Sequence, residues 1–166
     1  MARISIMNIC DGIAAAFHGT NVVLDAGLAA VPIIAQSYDQ IAEGLQDTPT
    51  VQVIPDTSLV DASTDTDRTT FKGCVKHGRY QFEVTGYARQ RSQVGEDMAA
   101  SIRLWDALEA ILEEEGTDCA ATTGTCTFFG VADIKGISWS GQGRVALVYG
   151  GVGYIGCEVL IVVEVF

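Results

Sequence analysis

RTTFKGCVKHGRYQFEVTGYARQRSQVGEDMAASIRLWDALEAILEEEG, residues 68–116, is the stretch whose reading decides the fold. Phe71 through Val75, the reversal Lys76-His77-Gly78-Arg79, and then Tyr80, Phe82 and Val84 alternating with Gln81, Glu83 and Thr85 predict a hairpin with one buried face. Gly86 breaks the alternation before Tyr87, which predicts a bulge or a sheet edge. Gly95 to Glu115 then predicts a helix, because Met98, Ile102, Trp105, Leu108 and Leu112 form a stripe at helical spacing and Gly116 is a fitting stop. The two halves differ in charge. Arg68, Lys72, Lys76, Arg79, Arg89 and Arg91 are six of the chain's ten Lys and Arg, whereas the helix carries seven carboxylates and one Arg. Glu96 and Asp97 suit its positive N-terminal end; Glu113, Glu114 and Glu115 crowd the negative end, at a cost of about a few tenths of a kcal/mol each unless something basic faces them.

Outward from this stretch, the pattern changes several times. Ile9, Ile13 and Phe17 predict a short helix over Asn8 to Phe17, weakened by Gly12. Pro32, suited to a first helical turn, followed by Ile34, Tyr38, Ile41 and Leu45, predicts a second helix. Val51, Val53 and the Pro55-Asp56 turn read as a short strand, and the polar run Asp61 to Asp67 as a solvated loop, since it lacks the Gly and distal Glu of a calcium loop. Ile137 and Trp139 lead into Ser140-Gly141-Gln142-Gly143, Arg144 to Tyr149 alternates, and Tyr154 to Phe166 forms a long final strand. Ile155, Cys157, Val159, Ile161, Val163 and Val165 share one face of that strand. Leu160, Val162 and Phe166 on the other predict cover on both sides, by helices and by a neighbouring subunit.

At 166 residues, with no internal repeat or flexible linker, residues 1–166 read as a single domain, with an extended hairpin or loop around 57–79. A net charge of −11 argues against phosphate-driven nucleic-acid binding, which needs Lys and Arg to displace counterions, yet suits a wall along which DNA slides without sticking. No uncharged stretch reaches the roughly 20 apolar residues of a membrane span, and Asp11 interrupts the only signal-like run, so a soluble protein made in a cytosol is expected. Of the five cysteines, Cys10, Cys74 and Cys157 read as small buried hydrophobes. Cys119 and Cys126 flank a short loop; free thiols are favoured, with a Cys119–Cys126 disulfide in an oxidising setting as the alternative. His18 and His77 have no paired spacing to a cysteine, which argues against zinc.

The apparent catalytic motifs fail on context. Gly151-Val152-Gly153-Tyr154-Ile155-Gly156 matches the dinucleotide fingerprint but precedes a strand, so a glycine-rich hairpin turn is the better reading. The Ser138 and Ser140 region lacks the second Gly of a nucleophile elbow, and no partner can be paired to His77. Glu109 and Glu113, one helical turn apart, read as solvated. No catalytic residue, cofactor or metal is expected.

Four stretches carry a resemblance: Asp25-Ala26-Gly27-Leu28-Ala29-Ala30-Val31-Pro32, Val53-Ile54-Pro55-Asp56, Arg79 through Ala88, and Tyr149 through Glu158. With the order of elements, the chain resembles the tail-terminator and related tail-completion proteins of long-tailed bacteriophages. The resemblance implies an α+β fold with a mixed, mostly antiparallel sheet and helices packed on one face. It implies a non-enzymatic virion protein, assembled in the host cytoplasm into a ring, generally a hexamer, that caps the tail tube, ends its polymerisation and joins tail to neck, with DNA passing through the lumen. Tail tube protein and neck or connector proteins are its implied partners. A neck stopper or other head-tail connector shares this logic; a small soluble nucleotide-binding protein or enzyme is the rival of a different class. A ring contact is heterologous and needs two complementary surfaces. Arg68, Lys72, Lys76, Arg79, Arg89 and Arg91 are the candidate subunit or partner surface, and Glu109, Glu113, Glu114 and Glu115 the candidate acidic lumen or partner face.

Overall fold

Alternating burial along the strands and a single helical stripe on each helix require two layers, and a computed structural model of the chain has that arrangement. It describes residues 5–41, 45, 48–56, 78–92, 94–117 and 126–165. The element order is α1 (Ile6–Phe17), β1 (Asn21–Val22), β2 (Val31–Pro32), β3 (Ile34–Ser37), β4 (Thr50–Pro55), β5 (Gly78–Gln90), α2 (Val94–Thr117), β6 (Cys126–Phe128), β7 (Val131–Tyr149) and β8 (Val152–Val165). Six strands form one sheet in the order β3-β4-β5-β8-β7-β6, while β1 and β2 make a separate two-stranded ribbon. The pair β3–β4 is parallel and every other pair antiparallel. The fold is therefore α+β, with a mixed, mostly antiparallel sheet.

Both helices lie on one face. Ile9, Ile13 and Phe17 of α1 and Leu104, Leu108 and Leu112 of α2 share a core with Val51, Val53, Phe82, Val84, Cys157, Val159, Ile161 and Val163, all essentially sealed from solvent. Ser5 caps α1, its hydroxyl accepting from the Met7 N–H at 3.2 Å. At α2, the buried carboxylate of Asp97 accepts the Ser92 N–H at 2.7 Å, satisfying a donor just ahead of the helix.

Several expectations meet their structure. The first helix, the strand ending at Pro55, the long acidic helix and the final strand all form. The glycine-rich turn expected over Gly151 to Gly156 is shorter and earlier: Gly150-Gly151 joins Tyr149 to Val152 with φ of 57° and 80°, the left-handed values that a two-residue hairpin of this twist demands, and Gly153 and Gly156 lie in β8. A bulge falls between Tyr87 and Arg89, beside Gly86.

Three expectations are corrected. The helix predicted from Pro32 is a strand: Ile34 to Ser37 pairs with Thr50 to Val53, and burial there alternates with period two. Val31, Ile33 and Ile34 are β-branched, and a waiting strand outweighs a spacing of four, three and four. The predicted hairpin of 71–75 with 80–84 has no room to pair at Phe82 and Val84, because Phe82 lies between Pro55 and Ile161 and Val84 between Val53 and Val159; residues 57–77 themselves lie outside the described residues. The helix stripe is rotated, since Ala100, Ser101 and Leu104 are buried while Ile102 is 46% exposed. On the second face of β8, Val162 is buried and Leu160 half-buried within the chain, and Phe166 lies outside the described residues.

Candidate assembly surface

The six candidate basic residues do not form one patch among the described residues. Arg68, Lys72 and Lys76 lie outside them. Arg79 is exposed at the start of β5, opposite Glu164 on β8. Arg89 stands ten residues along the same strand, about 33 Å away at the rise of an extended chain, and its guanidinium is engaged within the chain. Nη1 meets Asp25 at 2.5 Å, Nε meets Asp97 at 3.3 Å and Nη2 meets Glu96 at 3.6 Å. Together with Arg103, whose Nη1 donates to the Leu24 carbonyl at 2.9 Å, it fastens the loop after β1 to α2. Arg89 is thus an internal clamp. No spacing rule flags it, because its three carboxylates come from two distant parts of the chain. Arg91 is exposed, and its N–H donates to the Gly153 carbonyl at 3.0 Å.

The acidic residues divide in the same way. Glu113 and Glu114 are exposed near the end of α2 and Glu109 is half-buried. Glu115 turns inward, its Oε2 accepting the Phe129 N–H at 2.6 Å. Phe129 has φ of 53°, so this bond holds the tight β6–β7 turn in a backbone shape that a bulky residue rarely adopts. The same turn rests on Gly12, where a Cβ would come within 2.5 Å of the Phe129 carbonyl oxygen. Gly12, which weakens α1 by propensity, is there for close approach.

The expected thiol chemistry is partly visible. Cys10 and Cys157 are free and buried. Cys10 Sγ donates to the Val53 carbonyl at 3.2 Å, and burial raises its pKa. Burial pushes the Cys157 thiol up to about 12. Cys74, Cys119 and the Cys126 side chain lie outside the described residues, and with them the Cys119–Cys126 pairing. Among the described residues, no group of three His, Cys, Asp or Glu is placed to hold a metal ion, and no helix is long and apolar enough to cross a membrane.

The surface that stands out is one the sequence reading missed, the two edges of the sheet. The β3 edge is closed by the chain itself. His18 Nδ1 accepts the Ala35 N–H at 3.2 Å, the Thr20 carbonyl accepts the Ile33 N–H at 2.8 Å, and the Gly19 N–H donates to the Ile33 carbonyl at 2.9 Å. On the other side, β6 pairs with β7 only between Val131 and Ile134. From Gly136 onward β7 has β8 as its only strand partner among the described residues. Ser138, Ser140, Gly141, Gln142, Arg144, Ala146 and Val148 along it are exposed.

This edge strand is held flat against the helix layer by glycine. A Cβ at Gly141 would run into the Glu158 carbonyl and the Trp105 ring, and one at Gly143 would lie 3.0 Å from Trp105 Cγ, so the indole lies over both glycines. Ser140-Gly141-Gln142-Gly143 accordingly runs within the continuous strand β7, with an irregularity between Gln142 and Val145. On the face away from the helices, Tyr87 stacks edge-on with Tyr149 and Tyr154, both at 5.6 Å between centroids. Burial, more than these neighbours, raises the Tyr87 hydroxyl's pKa.

A scan against protein-family models finds no match for the sequence, and a search of curated proteins finds none either.

Proposed function

We propose that this protein is a structural assembly subunit of a phage tail, forming a ring that caps the tail tube, ends its polymerisation and joins tail to neck. The observation that carries the reading is the asymmetry of the sheet: one edge covered at Ile33 and Ala35 by residues 18–20, the other, along β7 from Gly136 onward, without a second strand among the described residues. Monomeric β proteins blunt or cover their edges, and a long uncovered one is a template for another chain. The α+β fold with helices on one face agrees with what the phage-tail resemblance implies, and a charge of −11 suits a lumen through which DNA must pass without adhering.

The test is to polymerise the candidate tube protein with and without this chain and to image the products. Rings at tube ends and a shortened length distribution are expected. Tubes of unchanged length with bare ends overturn the reading.

A further inference from the structure

We propose that the free protein pairs with a second copy of itself through the open edge, the β7 strand of each copy lying antiparallel to the other about a two-fold axis centred near Trp139. Such a pair is closed, so it is a state of the free chain and not the head-to-tail contact of a ring; it goes beyond the tail-tube reading and is tested without any tube protein.

Four observations select this occupant. The β3 edge is shut by His18 and Thr20, so edge-to-edge joining of unlike strands is blocked, while an antiparallel edge presents donors and acceptors complementary to its own under two-fold rotation. Pairing with β8 is regular from Gly136 to Gln142, between two irregularities, which provides a straight template. Ile137 and Trp139, on the helix-covered face, are only partly covered, and a second copy would complete their burial. In a chain of net charge −11, no Asp or Glu occurs from Lys135 to Tyr149, so this is a stretch along which two copies approach without opposing carboxylates. Centring on Trp139 places Gly136 of each copy opposite Gln142 of the other and leaves Lys135 near Arg144 at each end. Screening of these cations, and of the two acidic bodies, makes the pair stronger as salt is added.

The experiment is light scattering on the full chain under reducing conditions, from about 1 μM to about 1 mM, a range spanning ordinary weak affinities, with hydrogen exchange at both limits. The expected result is a shift from 17.6 kDa towards twice that mass, slower exchange confined to residues 136–142 at high concentration, and association that rises with salt. S138K/S140K places charges on the exposed edge and should stay monomeric with an unchanged thermal midpoint. A single-chain mass throughout overturns the proposal, as does a dimer whose 136–142 amides exchange no more slowly than in the monomer. Should the double variant misfold, the exchange measurement on the native sequence decides alone.

Discussion

The two edges of the sheet are opposites in construction. At β3 the chain doubles back, and a ring nitrogen, a carbonyl and an N–H from residues 18–20 take up the Ala35 N–H and both backbone groups of Ile33. At β7, a strand of 19 residues, the described residues supply only the short β6 at one end. One edge is covered by a side-chain hydrogen bond, whereas fifteen further residues, 135–149, have no second strand among the described residues, so the two edges are built differently. The lesson is that exposure at β7 is a local feature of the fold, set against active protection elsewhere in the same sheet.

The largest break in that comparison should come from Gly141→Val. The new side chain collides with the Glu158 carbonyl and Trp105, so the open-edge strand must lift from the helix layer. A loss of about 3 kcal/mol in urea unfolding is expected; a loss near zero would show that Trp105 does not hold the edge. Next in size is Arg89→Met, which frees the loop on the closed side and leaves the buried Asp97 without its guanidinium. Because Arg89 keeps 22% of its side-chain exposure, the cost falls below that of a fully buried pair, at about 2 kcal/mol. An unchanged unfolding midpoint would reduce the clamp to a surface contact.

His18→Ala sharpens the comparison directly. It removes the acceptor of the Ala35 N–H and should cost about 1 kcal/mol, while giving the protein a second open edge and a greater tendency to self-associate, readable by light scattering. Stability loss without added association would mean that residues 19–22 close the edge unaided. The smallest effect is expected at the open edge itself. Ala146→Lys changes an exposed β7 position and should shift stability by under about 0.5 kcal/mol; a larger loss in dilute solution would mean the edge is already covered.

Local signals carried α1, β4, α2, β8 and the existence, though not the bounds, of a glycine turn ahead of β8, because each rests on neighbours in sequence: a stripe, an alternation, or a glycine cluster. They failed where distant parts compete. Ile34 and Tyr38 sit at helical spacing, yet Thr50 to Val53 offers a parallel partner that spacing does not reveal. Phe82 and Val84 promised a hairpin with the segment before them, and β4 and β8 took both sides of β5. Arg89 and Glu115 read as surface charges because their partners, Asp25 and the Phe129 N–H, are remote in sequence. The reason for glycine at 141 and 143 was not legible either, because the Trp105 ring they accommodate belongs to another element.

The sequence by itself determined an acidic chain with amphipathic helices at 8–17 and 95–115 and alternating strands for them to cover, since periodicity and charge are properties of consecutive residues. Only the tertiary structure decided which strands are neighbours, which charges are held inside and which sheet edge stays open. Those outcomes depend on hydrogen-bonding groups that every residue carries alike, and their pairing is settled by where the rest of the chain packs.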